Sequence, residues 1–215
     1  MVRHDTQAQG HARRIGPSPF TRLVNRRFSL RRFDLSRPVA DKDVVSILEA
    51  ARLAPSAENT QPWRFVVVRN PQGIAELAKQ CFSGIFSATK FAAESSCIVA
   101  LCADRAKFLE RAGEVVLRTA LYQLDCGIAG EHIALAAAEL GIGSCWIGWF
   151  NKKRARKLLG LPLHVELVAL IALGYAKEGV SPRGKNRKPL SELTSMDRWG
   201  TPFPPAQTRE TAGSS

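Results

Sequence analysis

Ala54-Pro55-Ser56-Ala57-Glu58-Asn59-Thr60-Gln61-Pro62-Trp63 runs directly into the apolar stretch Arg64-Phe65-Val66-Val67-Val68. Helical periodicity precedes it and a β-branched strand follows it. The joint is therefore a loop of small and amide residues, which lets main-chain and side-chain amides come close to a flat polar ligand. Pro62 and Trp63 fix its exit. Turn chemistry alone also accounts for Pro, Ser and Asn at such a connection, so its meaning depends on the surrounding chain.

Upstream, Asp41 reads as the N-cap of a helix over 42–53, with Val44, Ile47, Leu48 and Ala51 on one apolar face. A short helix over 21–27 comes before it. Downstream, Trp63–Val68 is a strand, and Pro71 opens a helix reaching Cys81. Residues 97–103 form an uninterrupted apolar run, hence a buried strand. A helical region spans 114–140, and its Ala134, Ala136, Ala137 and Ala138 admit a close neighbouring helix; Gly141 and Gly143 end it. A strand over 145–149, a basic helix over 152–159 and a last apolar strand over 165–175 complete the pattern. Strict βαβ repetition is not evident. The reading is α+β, with a small mixed or antiparallel sheet flanked by helices.

The 215 residues suit one domain over 20–203 between polar, aperiodic and mobile tails at 1–19 and 204–215. The net charge is +12, and it is concentrated. Residues 1–32 hold eight Arg against one Asp, and residues 152–188 hold ten Lys or Arg against two Glu. Neither segment carries an aromatic RNA-recognition motif, a zinc finger or a helix-turn-helix pattern, so no specific nucleic-acid function is expected. Five scattered Cys without a C-x-x-C indicate buried free thiols. No secretory signal and no run of about 18 apolar residues is present, so no membrane span and a cytoplasmic location are expected.

Two short segments look like other chemistries. Gly141-x-Gly143 follows a helix and enters a strand, the reverse of a dinucleotide-binding turn. Gly143-Ser144-Cys145-Trp146 echoes a cysteine-protease signature, but His164 is the only later His and lies too near. His4, His11, His132 and His164 have no metal-ligand spacing, and no protein nucleophile motif occurs.

Arg27-Phe28-Ser29-Leu30-Arg31-Arg32-Phe33, the loop with Pro55, Ser56, Asn59 and Gln61, the segment Leu140-Gly141-Ile142-Gly143-Ser144 leading to Ile147-Gly148, and Lys185-Asn186-Arg187 come in the order found in the nitroreductase family. The chain resembles that family of FMN enzymes over about 23–193. The resemblance implies a nitroreductase-like α+β fold and an obligate homodimer with a long Ala-rich interface helix. FMN would lie at the subunit interface. Arg27 and Ser29, closed over by Lys185 and Arg187, would hold its phosphate, with Phe28 between them also counted as cofactor-binding and Arg31 at the pyrimidine edge. Pro55, Ser56, Asn59 and Gln61 would pack on the ring and ribityl chain, often across the interface. Ala57 stands where many members have a second Ser, so it is not counted as a contact.

The backbone near Ile147 and Gly148 would meet flavin N5, with no catalytic side chain required. Hydride would pass from NADH or NADPH by way of N5 to a small electron-poor acceptor such as a nitroaromatic or a quinone, with ping-pong kinetics. Trp146 and Trp149 read as core residues more than as pocket borders, and the acceptor cover is expected within 82–116. Other outcomes compatible with the motifs are dehydrogenation, dehalogenation or flavin degradation on the same scaffold, or a non-catalytic flavin- or nucleic-acid-binding protein.

Overall fold

The computed structural model describes residues 17–106, 121–182 and 184–203. Most of both terminal tails, and the start of the long helix expected from 114, lie outside the described residues. The chain divides into one unit ending at Pro182 and a second beginning at residue 183.

In the first unit α1 is Pro19–Arg26, started by Ser18, whose hydroxyl accepts from the Thr21 N–H at 3.1 Å. Helix α2 is Asp41–Arg52. Asp41 is not its N-cap, because Ala40 holds that position without a side-chain bond. Asp41 instead places its carboxylate in the first turn, where the helix dipole favours it, and pairs with Arg69.

Strand β1 (Trp63–Val68) and helix α3 (Pro71–Cys81) follow as read from the sequence, with Asn70 accepting from the Gln72 N–H at 2.9 Å. A 3₁₀ segment, Gly84–Glu94, comes next, in a stretch to which the sequence reading assigned no element. Then come β2 (Cys97–Asp104), α4 (described over Leu121–Glu139), β3 (Gly143–Ile147), α5 (Lys152–Leu158) and β4 (Val165–Gly174).

The sheet order is β1-β2-β4-β3, antiparallel throughout. The two central strands are covered on both faces, which explains their unbroken hydrophobicity. Ile98, Ala100 and Cys102 of β2 face one core with Ile74, Leu77 and Phe82. Cys97 and Val99 face the other core with Val44, Ile47, Ile133 and Ala137. This alternation is the two-residue period of a strand read out in packing. All five Cys are free and buried, as their apolar contexts predicted.

The alanines of α4 do admit a close neighbour, and that neighbour is α2 of the same chain. Helix α4 ends in a Schellman arrangement. Ile142 N–H reaches Ala137 C=O at 2.8 Å, Gly141 N–H reaches Ala138 C=O at 3.2 Å, and Gly141 takes φ +73°. Gly143 is therefore not part of the stop but the first residue of β3. That strand lies two residues earlier than its β-branched content indicated. The reason is packing: Gly143 pairs with Gly174, and onto these two bare positions fold Leu30 and Phe33 of the N-terminal segment. A Cβ on Gly143 would come within 2.2 Å of Leu30 Cδ2, and one on Gly174 within 2.8 Å of Phe33 Cδ1.

In the second unit α6 (Leu190–Leu193) leads into a turn closed by the Ser195–Pro202 bridge, with Asp197 and Gly200 at positive φ. Leu190, Leu193, Met196, Trp199 and Phe203 are exposed along it.

Candidate cofactor site

The basic stretch is held beside β3 by its own alternation. Leu30 and Phe33 are buried at 1% and 0%, while Ser29, Arg31 and Arg32 stay exposed. Leu30 N–H donates to Ser144 C=O at 2.9 Å, Ser29 bridges to Ser144, and Asp34 N–H donates to Tyr175 C=O at 2.8 Å. The segment thus runs along the outer edge of β3 and onto the end of β4.

That path gathers three of the expected phosphate and flavin residues around one sulfur. Burial pushes the Cys145 thiol up, against the opposing pull of the Arg31 guanidinium, a hydrogen bond with the Ser29 hydroxyl, and Arg27. A cleft of about 220 Å³ opens alongside, lined by Arg26, Arg27, Phe28, Gly143 and Ser144 among others. Arg27 is only 17% exposed and is held at 3.5 Å by Glu131 of α4. The paired side chain is aimed, not free to wander. At the far end of β3, Ile147 is buried and Gly148 is exposed; a Cβ on Gly148 would meet nothing within 4 Å. The main chain at Ile147-Gly148 therefore faces open space on the strand that carries the Arg27–Ser29 cleft.

The loop after α2 is strained and firmly tied. Glu58, Asn59 and Gln61 have φ of +49°, +56° and +48°, the left-handed region that costs a non-glycine residue about 1–3 kcal/mol. Gln61 N–H donates to Ser56 Oγ at 2.9 Å, and the Gln61 amide donates to Asn59 Oδ1 at 3.0 Å. Pro55, Asn59 and Gln61 are exposed and Ser56 is half-buried. Ala57 donates its N–H inward to Asp125 Oδ1 at 3.1 Å.

Helix α4 carries both anchors: Asp125 holds the loop and Glu131 holds Arg27. Six helical residues separate them, about 9 Å along the axis and roughly 120° around it. The loop and the Arg27 cleft are thus mounted on different faces of one helix. Lys185 and Arg187 belong to the second unit. There Lys185 is half-buried, and Arg187 is exposed with its guanidinium on the Asn186 C=O at 2.8 Å. Among the described residues there is no cluster fit to hold a metal ion, and no helix is long and apolar enough to cross a membrane.

Asp125 was missed at the level of sequence, although a signal existed. It falls on the stripe Asp125, Ala129, Ile133, Ala137, an acid among residues that are otherwise apolar and buried. It is 3% exposed, and its Oδ2 has no hydrogen-bond partner among the described residues. Burial pushes its carboxyl above the usual 3.8, with the Ala57 N–H pulling the other way. A carboxyl raised in the folded state stabilises that state fully below its unfolded value and loses this as pH rises through the folded value. Asp125→Asn, which keeps an acceptor for Ala57, is therefore expected to gain stability on the parent as pH climbs from about 4. Urea midpoints across pH check this, and a gap that stays constant with pH would contradict it.

Trp149 is a correction. Trp146 packs into the core beside Ile133 and Ile142, but Trp149 is 58% exposed because β3 has ended two residues before it. Its indole N–H donates to Ile85 C=O at 3.0 Å, and its ring sits 5.3 Å from Phe86. The segment Gly84–Glu94 thus meets Trp149 through Ile85 and Phe86 and meets Arg31 through Phe91, 5.8 Å from the guanidinium. It stands where the acceptor cover was expected; residues 107–116 of that range lie outside the described ones.

Known proteins share this fold. The profile described as the Nitroreductase family matches residues 24–175. A relative in Archaeoglobus fulgidus, provisionally named an NADH dehydrogenase/NAD(P)H nitroreductase, is 34% identical over 73% of this chain and 85% of its own. Among solved structures, a nitroreductase family protein of Clostridium difficile superposes with a TM-score of 0.69 at 28% identity, covering 82% of this chain and 96% of the other. An FMN-dependent nitroreductase of the same species superposes with 0.63 at 26% identity over 75% and 90%. Sequence motifs, sheet order and these likenesses converge: the chain belongs to the nitroreductase family.

Proposed function

We propose that this member of the family is an FMN-dependent oxidoreductase that takes electrons from NADH or NADPH and delivers them to a small electron-poor acceptor, such as a nitroaromatic or a quinone. When bound, FMN supplies the two-electron chemistry, so no nucleophilic side chain is needed. The observation that carries the reading is the placement of Arg27, Ser29 and Arg31 around one end of β3, with unobstructed main chain at Gly148 beyond the other.

Arg27 and the Ser29 hydroxyl suit phosphate oxygens, as fork and point donor. Arg31 would bring positive charge to the pyrimidine edge, where reduction would put negative charge. Ile147 and Gly148 offer backbone without a side chain in the way. Lys185 and Arg187 are proposed as further phosphate partners, on the strength of the family motif.

The chain is further proposed to act as a homodimer. Two observations support this. Pro55, Ser56, Asn59 and Gln61 are mounted on a different face of α4 from Arg27, so a second copy can supply the loop to each site. The second unit also exposes Leu190, Leu193, Met196, Trp199 and Phe203, apolar side chains that a second copy can cover.

Steady-state kinetics with NADH or NADPH and a nitroaromatic test the activity. Parallel double-reciprocal lines are expected; intersecting lines would exclude sequential occupation of one face. Gly148→Val should slow flavin reduction by NAD(P)H while leaving thermal stability near the parent's, since a Cβ added at Gly148 meets no atom within 4 Å. An unchanged reduction rate would remove Gly148 from the site.

A further inference from the structure

We propose that Trp149 and Phe86, flanked by Ile85, form the stacking wall of the acceptor subsite, and that Lys90, Lys152 and Lys153 select an acceptor ring carrying negative charge. The redox role of this wall rests on the flavin reading above; its ability to bind such a ring does not.

Position is the first argument. Trp149 immediately follows Gly148, at the point where β3 releases the chain and the main chain faces open space. Preorganisation is the second. An exposed tryptophan usually samples several rotamers, but here the indole N–H is bound to Ile85 C=O at 3.0 Å. The ring also leans at 54° on Phe86. The side chain is 58% exposed and held, with Ile85 76% exposed beside it. A fixed, electron-rich aromatic face left open to solvent suits a planar electron-poor ring, which stacks on it at little entropic cost.

Charge supplies the rest. Lys90 lies on the same 3₁₀ segment as Phe86, and Lys152 and Lys153 begin α5 three and four residues after Trp149. All three are exposed, and among the described residues none has an ion-pair partner. The two lysines of α5 occupy a first turn that holds no carboxylate, where the helix dipole disfavours cations. Local folding gains nothing from them there. An aromatic wall followed directly by unpaired positive charge draws in and retains an aromatic anion.

The test compares para-nitrobenzoate with para-nitrobenzamide, nearly isosteric rings that differ in charge. Their binding to the purified protein is read by isothermal titration calorimetry. The parent is expected to bind the benzoate about tenfold more tightly than the amide at low ionic strength, and to lose that preference in salt. Trp149→Leu should weaken both ligands by up to about tenfold, and Trp149→Phe, which keeps a ring, should fall between. Lys152→Gln with Lys153→Gln should abolish the preference and leave amide binding intact. Equal binding of the two ligands by the parent, or unchanged binding by Trp149→Leu, would overturn the proposal. Because calorimetry reads binding without turnover, a protein that binds these rings yet holds no flavin would refute the oxidoreductase reading and leave the stacking wall standing.

Discussion

Arg27→Ala combined with Arg187→Ala is expected to give a folded protein that purifies largely without flavin. Truncating one partner of a buried charged hydrogen bond costs about 2–5 kcal/mol, so FMN binding should weaken on the order of 30-fold or more. Arg27 is the stronger member of the pair, being mostly enclosed and already oriented by Glu131. Its loss also strands Glu131, so a control is needed to separate the two roles. Glu131→Gln removes the competing carboxylate and leaves the guanidinium in place. That variant should hold FMN at least as tightly as the parent. If Glu131→Gln loses flavin as completely as the double alanine variant, Arg27 serves the fold and not the phosphate. Equilibrium FMN titration of the three proteins decides between these outcomes.

Gly143→Val is the second large effect, and it joins stability to cofactor binding. The new Cβ would lie within 2.2 Å of Leu30 Cδ2 and 2.9 Å of Leu30 Cβ, so rotating the leucine does not clear it. Overpacking of this kind costs about 1–3 kcal/mol. Leu30 must back away from β3, and with it go the Leu30 N–H bond and the Ser29 bridge to Ser144. Lower thermal stability and weaker FMN binding are therefore expected together. Adding Leu30→Ala should restore part of both, since contacting sites are not additive. Full additivity of the two substitutions would mean that the Leu30–Gly143 contact does not set the position of Ser29.

Much of this molecule was legible in the residues because local chemistry decides it. Trp63–Val68 and Pro71–Cys81 have the bounds read from the sequence, since β-branched content, Asn70 and Pro71 mark their edges unambiguously. The Arg27–Ser29–Arg31 and Ile147–Gly148 groups were read from their likeness to the family's motifs, and the fold sets both along β3, with Leu30, Phe33 and Ile147 buried beside them. What escaped was decided at a distance. Asp41 lies one residue inside the helix and pairs with Arg69, 28 residues on, as the chain folds back. Strand β3 begins at Gly143, against glycine's weak strand tendency, because Leu30 needs the space. Trp149 resembled a core residue in sequence and is an exposed one, since that shift of β3 moved it off the sheet. Asp125 looked like an isolated charge until its partner, the Ala57 N–H 68 residues away in the chain, was located.

An absorption spectrum of the freshly purified protein, with heat release and identification of any bound flavin, tests the central claim most directly. A yellow protein that releases FMN is predicted. A colourless protein that also fails to take up added FMN would contradict the account, leaving Arg27, Ser29 and Arg31 as a basic edge whose salt-sensitive binding to a polyanion would then be the property to measure.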